Sequence, residues 1–547
     1  MTRRPSFLSW LVEHAPALCR AAAYFAVLSV AAPVVYHVAR GSNAYMGLFE
    51  DDYFYYAIIA DKLVTRGLLT FDGVTITNGF HPLWFAIVFV VRLVFGRFGF
   101  AYHAALATLF VACGIATYEF SRRLACALGA STLLAPLIAV VYAVGSARLL
   151  CTGMECAVAI PLLLWLLAEA AVDEEMTARR AAKLGVIAGL ATLARLDIGM
   201  IVILLVGAWA FLERPPLARA ARMLAVFSLG MLPVLAYAAL NAAYFGSILP
   251  VSALAKQLLV SRGFGLWYAY TIAFFTLYGP TIGVVLPAGV VALFVLQRRA
   301  PHAGVRARVV GGIALFFAFV FFAMNATTGW VFFSWYAYPL APATIAALVF
   351  VSEALAPRVS AGRLAAVLAV AAAFVPPMAA RYFVERGPEW TLADSPLAAS
   401  SVELASRMHD RRGLYAMGAI CGMAAYALDA PFVQAEGLVA DRAMVEHVRH
   451  QEPLTEVLES YGVDYLVVSY VPQEKKNDDD GCYLVDQPSA IWSGRHSAKM
   501  HARICGEPLV HFTTPRGTKP RSLFPELQTY VFDVHAARKQ ERGVTGL

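Results

Sequence analysis

Residues 81–96 read HPLWFAIVFVVRLVFG, and whether they cross a membrane decides the orientation of everything after them. Counted as a full span, the segment inverts each later loop and puts a series of arginine-rich clusters outside. Left out of the count, it lets all of those clusters lie in the cytoplasm, as the positive-inside rule requires. The clusters are Arg3/Arg4, Arg122/Arg123, Arg179/Arg180/Lys183, Arg214/Arg219/Arg222, Arg298/Arg299/Arg306/Arg308 and Arg358/Arg363. The segment is short for a span and carries Arg92 near its middle. It reads as a helix that dips into the outer leaflet or lies along it.

About eleven spans then follow from length and composition, with the N-terminus inside and the C-terminus outside. They fall near residues 17–38, 101–120, 128–147, 155–172, 183–194, 198–212, 223–243, 272–296, 309–325, 336–356 and 363–380. The two segments around Arg195 are short and read as a pair of half-helices. The first 40 residues have a basic flank and a nearly span-length apolar part, so they read as an uncleaved first transmembrane helix.

The composition agrees. Of 547 residues 60% are hydrophobic and 15% charged, and the mean hydropathy is +0.63. An ordinary soluble domain is about half apolar and a quarter charged, so a large soluble enzyme is excluded. The net charge of +7 resides largely in the clusters that set orientation, and no nucleic-acid partner is expected. Of eight cysteines, Cys113, Cys126, Cys151 and Cys156 lie in or beside apolar segments and read as packing residues. Cys421, Cys482 and Cys505 belong to the polar C-terminal region, where a Cys482–Cys505 disulfide is open to a domain in an oxidising space. No CxxC or Cys/His metal spacing and no internal repeat occurs.

The expected organisation is a transmembrane domain over 1–380, with a first outer loop at 39–100, and a periplasmic domain over 381–547. Beyond residue 381 polar and apolar residues mix. YGVDYLVVSYVP reads as a helix end followed by a buried strand, and LQTYVFDVH as another strand. This is a small α/β domain, and its KKNDDDG segment reads as a solvated turn.

The outer face collects the residues suited to chemistry. The first loop opens with LFEDDYFYYAIIADKLVTRG (48–67), an amphipathic helix ending at Gly67. Acids at its start fit helix capping. A Glu50-Asp51-Asp52 triplet beside the membrane also fits a general base that takes a proton from an attacking hydroxyl. In TFDGVTITNGFHPLWF (70–85), Asn78-Gly79 makes a turn, Pro82 starts a helix, and His81 and Trp84 lie at the boundary. His81 suits either a phosphate hydrogen bond or a structural role.

These residues resemble the GT-C superfamily of integral membrane glycosyltransferases. An acidic pair after the first span, followed by ADKLVTRGLLTFDGVTITNGFHPLW, looks like that superfamily's first periplasmic loop. CTGMECAVAI, LATLARLDIG and YFGSILPVSALAK resemble patches of its arabinofuranosyl- and mannosyltransferase-like branches, in the same order. The likeness covers about residues 17–380, with a looser match in YAMGAICGMAAYALDAPFVQAEGLVAD. There Met417 replaces a common acidic residue, so no catalysis is assigned to the soluble domain.

The resemblance implies transfer of a sugar from a polyprenyl-phosphate donor to an envelope glycan, glycolipid or protein at the outer face of a bacterial plasma membrane. It implies an acidic base in the first loop, Asp51 by first preference and Asp52 by second, and inversion at the anomeric carbon. Asp52 has the alternative of orienting the acceptor or holding an ion. Paired acids suit a divalent cation, but no complete ligand set is visible.

An anionic leaving group calls for cations, and Lys256, Arg195 and Arg148 are available. Lys256 is the better phosphate ligand. Arg195 either joins it or pairs with Asp197 across a helix break, and Glu155 either caps a helix or binds acceptor. In GWVFFSWYAYPL, Trp330, Trp335, Tyr336 and Tyr338 form an aromatic belt or line a groove for prenyl chain and sugar. Asn78, His81, Glu155, Arg195, Lys256, Trp335 and Tyr336 are therefore the expected binding residues. A glycolipid transporter or flippase is the alternative, although transporters commonly show repeats and midplane charges; a non-catalytic envelope assembly partner is a third reading.

Overall fold

The computed structural model describes residues 7–258, 281–299, 304–327, 333–356, 375–418, 420–470, 482–489, 498–515 and 526–538. Arg3, Arg4, Trp330, Arg358, Arg363, residues 272–280 and 363–374 of two expected spans, and the KKNDDDG loop lie outside the described residues.

The protein is a mainly helical membrane bundle joined to a C-terminal mixed-sheet domain. The first helix, Phe7–Ala39, packs against Phe100–Ala127, Leu134–Leu150 and Val375–Arg386. Among the described residues, five helices are long and apolar enough to cross a membrane, and six if one bent pair counts as a single span. Two of the eleven expected spans, 272–296 and 363–380, fall partly outside the described residues. Several expected spans form helices of only 16 or 17 residues, such as Leu134–Leu150 and Cys156–Ala171. At 1.5 Å per residue these reach roughly 25 Å, short of a hydrocarbon core of about 30 Å.

The expected single span at 223–243 is also corrected. It is two helices, Leu217–Gly230 and Leu232–Phe245, bent by 65°. Pro233 lies in the first turn of the second and brings no N–H to the ladder. Gly230 passes against the backbone of Gly185 so closely that a Cβ there would stand 2.4 Å from its carbonyl carbon. The break at Arg195 is present: Ala178–Ala194 ends there, and a 3-10 turn, Leu196–Ile198, leads into Gly199–Glu213.

Within residues 81–96 the chain forms the helix Pro82–Phe95, with Pro82 in its first turn. Its 14 residues reach only about 21 Å. One face exposes Ala86, Val90, Leu93 and Val94, while Trp84, Val88, Val91 and Arg92 are buried. Arg92 is neutralised by Asp61 of the preceding helix, with Nε and Nη2 both 2.7 Å from Oδ1. That pairing removes the cost of an isolated buried guanidinium. Asp61 also meets Arg97, which pairs with Asp429 of the C-terminal domain.

The C-terminal sheet has the order β2-β1-β3-β7-β6, where β1 is Tyr415–Met417, β2 Phe432–Gln434, β3 Tyr465–Tyr470, β6 Val510–Pro515 and β7 Glu526–Asp533. β1 pairs in parallel with β2 and β3, and β7 runs antiparallel between β3 and β6. The parallel pairs need crossovers; Cys421–Leu428 supplies one, and Arg442–His450 with Leu454–Ser460 the other. Met444, Leu454, Leu458, Leu466 and Phe532 form their shared core. Both strands read from sequence are present. A separate antiparallel pair, β4 (Tyr483–Gln487) and β5 (Met500–Ile504), is closed by a Cys482–Cys505 disulfide.

Candidate active site

The first-loop helix Asp51–Arg66 starts at Glu50 as N-cap and stops at Gly67, whose φ of 68° supplies the left-handed cap. Its N-terminal turn aims Asp51 and Asp52 in different directions. The Asp51 carboxylate accepts backbone hydrogen bonds from Met423 (2.7 Å) and Gly422 (3.4 Å). It thus caps the helix Cys421–Leu428 of the C-terminal domain. Only glycine fits at 422, because an added Cβ would stand 2.5 Å from the Asp51 carbonyl oxygen.

Asp52 instead faces an open pocket of about 470 Å³, which it lines with Tyr55, Tyr56, His81, Glu155, Lys256, Trp335 and Tyr336. Leu438 and Val439 add a wall from the C-terminal domain. The main chains of the two domains nearly touch there. A Cβ on Gly79 would lie 2.0 Å from the Leu438 carbonyl oxygen.

The cations at and behind the pocket come from two breaks in the helical bundle. Lys256 lies on the short helix Val251–Leu258, which is anchored where Asn78 Oδ1 accepts the Val251 N–H at 2.9 Å. Lys256 Nζ donates to Tyr336 Oη at 2.7 Å. Arg195, at the helix break, sends Nη1 to Glu155 (2.5 Å) and grips Asp197 through Nε (3.2 Å) and Nη2 (3.0 Å). Its guanidinium also sits 5.3 Å from the Tyr336 ring centroid and 4.5 Å from that of Tyr338. Glu155 is the N-cap of Cys156–Ala171 but makes no side-chain cap bond. It meets Arg195 and, at 3.6 Å, His81 Nε2. Trp335 stacks on Phe333 with ring centroids 4.4 Å apart.

Burial governs the protonation of this site. It pushes Asp52 up to about 7; Lys256 opposes the shift, and Asp51, Glu155 and Glu50 reinforce it. Burial pushes Asp51 up to about 6 against the hydrogen bonds from Met423, Tyr55 and Gly422. Burial also drives His81 down to about 4, so the imidazole is neutral at pH 7. At Lys256 burial works against the ammonium, but Tyr336 and Asp52 outweigh it and the pKa is raised. The site therefore holds a protonatable carboxyl near neutrality beside a persistent cation, a pairing suited to moving a proton near an anionic group.

Of the residues named from sequence, Asp52, His81, Glu155, Lys256, Trp335 and Tyr336 line one pocket. Arg195 stands behind Glu155 and Tyr336, and Asn78 supports the Lys256 helix; neither lines the pocket, nor does Asp51. Sequence reasoning missed Tyr55, Tyr56, Leu438 and Val439. Tyr55 and Tyr56 follow Asp52 by three and four residues, a helical spacing that places them on its face. Nothing local marks Leu438 or Val439. Glu436, just before them, is buried beside the acids, which follow burial in pushing it up to about 8. Its Oε2 accepts from Gln434 (3.2 Å), and Oε1 has no hydrogen-bond partner among the described residues.

No group of three or more His, Cys, Asp or Glu side chains arranged to hold a metal occurs among the described residues. Asp51 is already committed to two backbone N–H groups. The described residues offer no ligand set for a resident divalent cation, and no step is routed through one.

No family model and no curated protein sequence matches the chain. Solved structures do. The apo oligosaccharyltransferase of Archaeoglobus fulgidus is 12% identical with a TM-score of 0.47, over 83% of this chain and 70% of that one. The archaeal oligosaccharyltransferase AglB from the same organism, in complex with an inhibitory peptide and a dolichol-phosphate, is 12% identical with a TM-score of 0.44, over 81% and 69%. ArnT from Cupriavidus metallidurans bound to undecaprenyl phosphate is 15% identical with a TM-score of 0.47, over 92% of this chain and 97% of that one. Identities and scores this low carry no residue role across from them.

Proposed function

We propose that the protein is a glycosyltransferase that moves a sugar from a polyprenyl-phosphate donor to an acceptor hydroxyl, with Asp52 as base. The observation that carries this reading is the pocket in which Asp52 and Lys256 face each other while Asp51 is engaged elsewhere. The order of preference between the two aspartates is thereby reversed. The acceptor oxygen attacks the anomeric carbon, its proton passes to Asp52, and the bond from that carbon to the phosphate oxygen breaks. Lys256 receives the negative charge that develops on the leaving phosphate. One base and no enzyme nucleophile give inversion.

Arg195 holds Glu155, and Glu155 with neutral His81 forms the polar side on which hydroxyls are oriented. Trp335 and Tyr336 offer ring faces to the apolar surface of the sugar. The Cys482–Cys505 disulfide supports a C-terminal domain in an oxidising compartment. This agrees with a pocket on the outer side of a bacterial plasma membrane.

The test is transfer of radiolabel from a panel of polyprenyl-phosphate sugars in membranes, comparing wild type with Asp51→Asn and Asp52→Asn. Transfer by wild type, lost in Asp52→Asn with donor still bound, supports the reading. Equal transfer by wild type and Asp52→Asn refutes the assignment of the base. Movement of labelled lipid between leaflets without turnover identifies a transporter instead.

A further inference from the structure

The C-terminal domain brings a carboxyl of its own to the acidic first loop. Glu436 lies just beyond β2 and just before the wall residues Leu438 and Val439. Its chain neighbours press on the membrane bundle. A Cβ on Gly437 would stand 3.7 Å from Ala255 Cβ on the short helix Val251–Leu258, and the Leu438 carbonyl meets Gly79. Glu436 itself is only 3% exposed.

The groups that face it do not answer a negative charge. Asp51, Asp52 and Tyr55 face it from the helix Asp51–Arg66, and Cys421 from the start of the helix Cys421–Leu428. Within its own domain Oε2 accepts from Gln434, and the Ser489 N–H is a further donor to the carboxyl. Oε1 has no hydrogen-bond partner among the described residues. Lys256, the cation of the pocket, is engaged by Tyr336 and Asp52. Three carboxyls from two domains thus share one corner of the junction.

Repulsion between carboxylates grows as water is excluded, whereas a protonated carboxyl fits the same corner as a neutral donor. Burial, with Asp52 and Asp51 reinforcing it, accordingly pushes Glu436 up to about 8.

We propose that Glu436 is a positioning residue whose proton closes the pocket. Neutral, it lets the C-terminal domain seat Leu438 and Val439 against the first loop. Ionised, it repels Asp51 and Asp52, and the wall lifts. The proton comes from solvent as the domain docks and returns there when it lifts, so closure and proton uptake are linked. The stabilising contribution of Glu436 is complete below its ordinary carboxyl value and is lost as pH rises through about 8. The assignment concerns closure alone and does not depend on the transfer reaction proposed above.

The test uses the full chain in detergent and reads closure at Cys421, which is buried at the junction beside Asp51 and Glu436. Alkylation of Cys421 by N-ethylmaleimide is followed by mass spectrometry from pH 6 to pH 8 in wild type and in Glu436→Gln, whose amide keeps the shape of the neutral acid. Comparison at each pH cancels the reagent's own dependence on thiolate. The wild-type rate relative to that of Glu436→Gln rises about tenfold over this range, as uptake of a proton on closure requires. Arg97→Met, which removes a pair with Asp429 across the same junction, raises labelling by one factor at every pH. A flat ratio overturns the proposal, as does a slope that Arg97→Met reproduces. The wild-type rate divided by that of a free cysteine peptide rises over the same range without any variant, and a flat quotient also overturns it.

Discussion

Helix Ala178–Ala194 connects two regions that treat an arginine in opposite ways. At its C-terminal end Arg195 meets side chains: the carboxylates of Glu155 and Asp197 and the rings of Tyr336 and Tyr338. Near its N-terminal end Arg180 meets main-chain carbonyls. A carbonyl cage locks a cation in place. Carboxylates and rings leave a cluster whose balance shifts when an anion arrives. The contrast separates an arginine clamped by main chain from one that stands behind the proposed active site.

The largest expected effect tests that division directly. Asp52→Asn lowers turnover by about 10²–10⁴, the usual contribution of a general base, and leaves donor retention intact. Trp209→Phe, in the helix Gly199–Glu213 and outside the pocket of Asp52, leaves turnover unchanged. Single-turnover transfer measured beside donor binding checks both, and equal activities in the two variants would erase the distinction.

Next come the two arginines. Arg195→Met strands Glu155 as a buried charge and costs about 3–5 kcal/mol of stability. Arg180→Met leaves carbonyls unpaired and costs about 1–3 kcal/mol. Thermal unfolding in detergent ranks them, and the reverse order would break the comparison.

A smaller effect is expected at Asp51. Asp51→Ala removes a helix cap across the domain junction, for a loss of about 0.5–2 kcal/mol. Faster protease release of the C-terminal domain reports it. Unchanged release would return Asp51 to the list of possible bases.

The smallest effect is one of pH. Because Asp52 titrates at about 7 and a base must be deprotonated, transfer rises with pH through neutrality. Its folded pKa is raised, so its stabilising contribution is complete below the unfolded value and is lost as pH rises through about 7. Asp52→Asn is therefore more stable than wild type at pH 8, by about 1 kcal/mol for this half-buried group, and gains nothing below about pH 4. Melting curves at the two pH values check the sign.

Local signals were legible in the sequence. Gly67 stops its helix, Pro82 starts one, and the chain breaks at Arg195, because each event is set by residues within one turn. The 65° bend at residues 230–232 was also encoded locally, by Gly230 and Pro233, but a continuous apolar run concealed it. Several expected spans are shorter helices for a related reason, since apolar length is not helix length. The different surroundings of Asp51 and Asp52 were not legible. The group that claims Asp51 is Met423, 372 residues downstream, and no periodicity links them. Leu438 and Val439 were invisible for the same reason.

The contact of Gly79 with the Leu438 carbonyl has a consequence for biogenesis. The pocket takes residues from Asp52 in the first loop to Val439 in the C-terminal domain. A ribosome makes the carboxylate first and the facing wall last, after every membrane helix has been synthesised. The nascent bundle thus displays an open half-pocket, and only docking of the last-made domain closes it. A chain truncated before residue 438 retains the acid and the cation yet lacks the surface that confines them.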